Sequence, residues 1–161
     1  MGTLHVVGIS DCKVSNDPSD TIVTYALGSC VGLVLYDPQA RAGGLLHIML
    51  PDSRFRSSSR EFNPHMYADT GFYALIQSLV TLGASKLRLV AKLAGGANML
   101  RHSSLLDIGQ RNSETVLGLL KTEQIPVLAT SLGGTVGRSM QVHLDDGTTR
   151  VRLLGQGEET L

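Results

Sequence analysis

Val31-Gly-Leu-Val-Leu-Tyr-Asp-Pro-Gln-Ala-Arg-Ala-Gly-Gly-Leu-Leu-His-Ile-Met-Leu50 is the stretch whose reading decides the fold. Val31 to Tyr36 carries apolar residues on both parities, the pattern of a strand buried on both faces. Asp37-Pro38 and Gly43-Gly44 bound a turn, and Leu45 to Leu50 returns as a second strand until Pro51 ends it. The two make a hairpin. Setting Tyr36 opposite Arg41 or opposite Gly43 gives two registers, and both put Cys30 and His47 on one face of the sheet. A slip of one residue would separate them.

Working outward, Leu4 to Ile9 reads as a strand, Asp11 to Asp20 as a polar loop around Asn16-Asp17-Pro18, and Thr21 to Ala26 as a strand ending at Gly28-Ser29. Downstream, Asp52 to Arg60 is a polar surface loop carrying Arg54, Arg56 and Arg60. Asn63-Pro64 starts a helix, Asn as cap and Pro in the first position. Tyr67, Gly71, Ala74, Leu75, Ser78, Leu79 and Leu82 continue it at helical spacing, and Gly83 stops it. Leu87, Leu89, Ala91 and Leu93 alternate as a strand, and a second helix follows Asn112-Ser113. Ile125 to Ala129 is a short strand placed at an edge by Pro126. Arg138 to Leu144 and Thr148 to Leu154 are strands joined by the turn Asp145-Asp-Gly147, and 155–161 reads as a frayed tail. Strands outnumber helices and come as hairpins, which favours an α+β fold over a doubly wound parallel sheet.

The 161 residues suit one domain, 1–161. Lys and Arg total 14 against 14 Asp and Glu, so no surplus of positive charge exists to bind nucleic acid. A hydrophobic content of 42% with 17% charged residues opposes a disordered chain. The opening MGTLHVVGIS lacks the basic and long apolar segments of a signal peptide, and no apolar run approaches a membrane span. Cytoplasmic location without direct membrane insertion is the expectation. Two cysteines, Cys12 and Cys30, cannot form the framework of a small secreted protein, and no Cys/His cluster has zinc spacing. Gly133-Gly-Thr-Val-Gly-Arg-Ser139 departs from a phosphate loop in spacing and in having Arg for Lys. No metal and no cofactor is expected.

Chemistry concentrates at Cys30. It follows Leu27-Gly-Ser29 where a strand meets a glycine turn, and such a turn exposes the next side chain and aims backbone N–H groups at one spot. A thiol there is a nucleophile if a base lies close, although a lone Cys more commonly packs as a small hydrophobe. His47 interrupts an apolar strand, where it is either a hydrogen-bonded core histidine or that base. A Cys–His pair needs a third group to hold the imidazole, and Thr24 lies six residues before Cys30. Arg111 and Arg138 either bind an acidic partner or tie loops together, and Asn112 reads as a helix cap.

Thr24-Tyr-Ala-Leu-Gly-Ser-Cys30-Val-Gly, Tyr36-Asp-Pro and Gly43-Gly-Leu-Leu-His47-Ile-Met-Leu-Pro51 together resemble the chemoreceptor glutamine deamidases, the CheD family. The likeness continues through Lys92-Leu-Ala-Gly-Gly-Ala-Asn-Met99, Ile108-Gly-Gln-Arg-Asn112 and Leu132-Gly-Gly-Thr-Val-Gly-Arg138. Ala94 departs from the bulky residue common before the glycine pair. The resemblance implies a sandwich of two mainly antiparallel or mixed β-sheets with helices outside, similar to the catalytic fold of cytotoxic necrotizing factors. It implies a catalytic set of Cys30, His47 and Thr24. The implied reaction is hydrolysis of selected glutamine side chains in the helical cytoplasmic region of methyl-accepting chemotaxis receptors. CheC, a phosphatase of the chemotaxis response regulator, is an implied partner. Gly28 and Ser29 are candidates for holding the oxyanion through backbone N–H groups. A module that regulates CheC with little activity of its own is the alternative.

Overall fold

The computed structural model describes residues 1–99 and 107–161. Ten strands and two α-helices follow in the order β1 Leu4–Val7, β2 Cys12–Ser15, β3 Thr21–Leu27, β4 Val31–Asp37, β5 Ala42–Ile48, α1 Ala68–Thr81, β6 Val90–Gly95, α2 Ile108–Thr122, β7 Val127–Leu132, β8 Arg138–His143, β9 Thr149–Leu153 and β10 Gly157–Thr160. They make two five-stranded sheets, ordered β1-β3-β8-β9-β10 and β2-β5-β4-β6-β7. Both are mixed: β1 runs parallel to β3 and β6 parallel to β7, while the other pairs are antiparallel. The sheets pack as an α+β sandwich, and both helices lie over the second sheet.

The double burial of β4 and β5 explains their unbroken apolar sequence. Odd positions of β4 (Val31, Leu33, Leu35) join Leu46 and Ile48 of β5 in a core shared with Phe72, Leu75 and Leu79 of α1 and Val116 and Leu120 of α2. Even positions (Val34, Tyr36) join Leu45 in a second core between the sheets, with Ile22, Leu27, Met140 and Val142. Tyr36 pairs with Gly43 and Gly32 with His47, the second of the two registers expected.

Several boundaries differ from expectation. The loop Asp11 to Asp20 contains β2, which pairs along β5. Asn63 caps a single 3-10 turn, Pro64–Met66, and α1 begins only at Ala68 because Tyr67 is extended and bridges Leu50. Lys86–Arg88 is likewise a 3-10 turn, so the next strand starts at Val90. The tail 155–161 is not frayed: residues 157–160 pair with Arg150 to Leu153 of β9, so backbone hydrogen bonds hold what four exposed side chains do not. Helix α2 begins at Ile108 under an Asp107 cap, not after Asn112.

Candidate active site

Thr24, Cys30 and His47 come from different parts of the sandwich. Thr24 lies on β3 of the first sheet, His47 on β5 of the second, and Cys30 just before β4. Because Gly32 sits opposite His47, Cys30, two residues earlier on the same parity, shares the inward face of the second sheet with the imidazole. Cys30 accordingly packs against the inter-sheet core. Cys12 packs against the helix-side core, so the two free thiols lie on opposite faces of that sheet.

The imidazole is fixed by a short relay. The Thr24 hydroxyl donates to the Val7 carbonyl at 2.8 Å, and the same oxygen lies 2.7 Å from His47 Nδ1. One hydroxyl has one proton. With that proton on the Val7 carbonyl, the Thr24 oxygen accepts from Nδ1–H, which leaves Nε2 as the lone-pair nitrogen. Nε2 is buried without a hydrogen-bond partner among the described residues. Thr24 and His47 are both fully buried, and β5 is held on its far side by His47 N–H to Asp11 O at 3.0 Å and Ser10 N–H to His47 O at 3.1 Å.

Burial sets the charge state. It pushes His47 down from 6.5 to about 4, so the ring is neutral near pH 7. It also pushes the Cys30 thiol up, opposed by the residue's own backbone N–H. The resting pair is thiol and neutral imidazole. Cys12, pushed up to about 12 first by burial and then by the nearby Asp11 charge, is the less ionisable thiol.

The turn before β4 is built by its carbonyls. Ala97 N–H donates to Gly28 O at 2.9 Å, Gly96 N–H to Cys30 O at 2.8 Å, and the Asn112 amide to Ser29 O at 3.0 Å. A Cβ on Gly95, whose φ is +107, would stand 2.2 Å from Cys30 O, so this approach requires glycine. The turn is entered through a bulge in the β3–β8 ladder, with Ala26 at φ 58. Gly28 N–H is engaged by Ala26 O at 3.1 Å. Of the two candidates for holding an oxyanion, Gly28 is therefore occupied, whereas Ser29 N–H meets no acceptor among the described residues.

Other singled-out residues hold the frame. Arg138, buried, donates to Gly95 O at 3.0 Å and so ties β8 to the end of β6. The Arg111 guanidinium lies 5.1 Å over the Phe55 ring. Asn112 is not a cap. Among the described residues no group of three or more His, Cys, Asp or Glu is placed to hold a metal, and no helix is long and apolar enough to cross a membrane. A cavity of about 610 Å³ lies beside Tyr25, Arg152 and Leu154, but neither Cys30 nor His47 lines it.

The family model described as CheD chemotactic sensory transduction matches residues 49–153. A Symbiobacterium thermophilum protein named probable chemoreceptor glutamine deamidase CheD is 47% identical over 98% of this chain and 97% of its own length. This chain belongs to the CheD family. The Bacillus subtilis chemoreceptor glutamine deamidase CheD is 42% identical over 96% of this chain and 94% of its own. Among solved structures, a Neisseria meningitidis protein of the DUF152 family aligns with a TM-score of 0.50 at 10% identity, over 83% of this chain and 65% of that one. That likeness concerns the fold alone. The CheD family model begins at Met49, two residues after His47, so the relatives aligned over nearly the full length are what extend the match across the Thr24–His47 segment.

Proposed function

We propose that this CheD family member hydrolyses glutamine side chains of chemoreceptors to glutamate, releasing ammonia, with Cys30 as nucleophile, His47 as base and Thr24 as the group that orients His47. The observation that carries the reading is the buried Nε2 of His47, which has no hydrogen-bond partner among the described residues. A buried lone pair that meets no donor among the described residues is a base awaiting a proton, and the Cys30 thiol shares its face of the sheet.

Each proton has a place in the sequence. His47 Nε2 takes the thiol proton as sulfur bonds to the carboxamide carbon. The oxyanion is received by the backbone N–H groups of Ser29 and Cys30. The carbon–nitrogen bond then breaks, and His47 returns its proton to the leaving ammonia. Water, deprotonated by the same Nε2, attacks the thioester and releases glutamate, and the proton goes back to sulfur. The imidazolium exists only between steps, when Thr24 still accepts from Nδ1–H. The product differs from the substrate by one negative charge, which is enough to shift a balanced signalling equilibrium. The reaction takes place in the cytoplasm, on the helical cytoplasmic region of the receptor.

Intact-mass analysis of a receptor cytoplasmic fragment tests the reading: deamidation adds about one dalton per site. Cys30→Ala should fold, bind the fragment and release no ammonia. Turnover by this variant near the wild-type rate would exclude a covalent mechanism. No mass shift with wild type, together with binding of CheC by both proteins, would favour the regulatory module instead.

A further inference from the structure

We infer that Asn112 is a positioning residue for the oxyanion-binding amide of Cys30. The inference rests on the deamidase reading above and concerns a residue which that reading leaves without a role.

Asn112 lies inside α2, fully buried, on the stripe that continues through Val116 and Leu120. Its side-chain amide donates to two backbone carbonyls, Ser29 O at 3.0 Å and Met49 O at 3.1 Å. Both acceptors are carbonyls, so the amide can face them only with its nitrogen, and its orientation is settled without ambiguity. The carbonyl oxygen of the side chain has no partner among the described residues. Burying an unpaired acceptor is unfavourable, so the side chain is not there to complete a network of its own. What it does is hold two pieces of backbone.

The identity of those pieces gives the role. The Ser29 carbonyl and the Cys30 N–H belong to one planar peptide unit and, in its trans form, point in opposite directions. Fixing the carbonyl towards α2 fixes the N–H away from it. That N–H opposes the upward push that burial gives the thiol of the same residue. The peptide before it is held the same way, its Gly28 carbonyl by Ala97 N–H. The first peptide is thus clamped by backbone, the second by one side chain. Met49, the other anchor, stands two residues beyond His47. One amide therefore spans the turn that carries the thiol and the strand that carries the base.

The test compares wild type with Asn112→Ala and Asn112→Leu. Three quantities are read: ammonia release from a chemoreceptor cytoplasmic fragment, iodoacetamide alkylation of Cys30 followed by peptide mass mapping, and the urea midpoint. The expected result is a fall in kcat of roughly 10- to 100-fold, less than deletion of an oxyanion donor, with KM nearly unchanged. The alkylation profile of Cys30 should move to higher pH, because the amide no longer assists the thiolate. A lower urea midpoint with kcat and the alkylation profile both unchanged would make Asn112 purely structural and overturn the inference, as would an effect confined to KM. If Asn112→Ala does not fold, Asn112→Ser keeps a donor in a smaller side chain, and failure of both to fold also overturns it. Should wild type release no ammonia, the deamidase reading fails separately, and the alkylation profile alone decides the role of Asn112.

Discussion

Acid should weaken this protein through His47, and the size of the effect follows from its burial. In the folded chain the ring is neutral, with its pKa pushed from 6.5 to about 4 by desolvation. In the unfolded chain it titrates near its ordinary value. Below that value the unfolded state therefore binds a proton that the folded state refuses, and stability falls as pH falls. The loss begins near 6.5 and is complete once the folded ring also protonates near 4. At about 1.4 kcal/mol per pH unit, the displacement from 6.5 to about 4 corresponds to about 3 kcal/mol. That is a large share of the roughly 5–15 kcal/mol expected for a domain. Urea unfolding of wild type and His47→Gln, from about pH 7.5 to about pH 4.5, reads the difference directly. Carboxylates such as Asp20 and Asp37, each lowered to about 2, titrate alike in both proteins and cancel. The wild-type curve should fall more steeply, by up to one proton's worth of slope. Parallel curves would mean that His47 protonates in the folded protein at its ordinary value, and a neutral, dry base could then not be maintained.

Two further substitutions probe the site's frame. Thr24→Val removes the hydroxyl that joins Val7 O to His47 Nδ1, so turnover should drop roughly 100-fold or more and stability by about 1–3 kcal/mol from the stranded Val7 carbonyl. Thr24→Ser should restore most of both, and an ammonia-release assay showing the Val variant as fast as wild type would remove Thr24 from the relay. Gly95→Ala forces a Cβ to within 2.2 Å of Cys30 O at a φ of +107, so the melting temperature should fall by an amount equivalent to more than about 3 kcal/mol. An unshifted melting curve would mean that the turn is not held against β6.

The sequence was most legible where hydrophobic parity was strong. The β4–β5 hairpin could be read down to two registers, and because both keep parity, the shared face of Cys30 and His47 followed from either. Strands whose stability comes from backbone pairing were invisible. β10, Gly-Glu-Glu-Thr, exposes all four side chains, and β2 hides inside a polar segment because it leans on β5 as an edge. Asn112-Ser113 resembles a helix cap, which hides the place of Asn112 inside α2. The four-residue spacing from Asn112 to Val116 and Leu120 carried the better signal, placing a polar side chain on a buried stripe. The link from Thr24 to Val7 was beyond reach, since it depends on β1 pairing in parallel with β3, a contact between distant segments that no local pattern announces.

The Thr24–His47 hydrogen bond joins one sheet to the other. Neither sheet alone, however well formed, can fix the imidazole tautomer or exclude water from Nε2. In the proposed mechanism, chemical competence therefore requires the two sheets to be docked. An expanded intermediate that keeps its strands but loosens the space between the sheets would carry an ordinary cysteine and an ordinary histidine. If the proposed mechanism holds, heating should abolish turnover at the temperature where the two layers part, ahead of any loss of strand content.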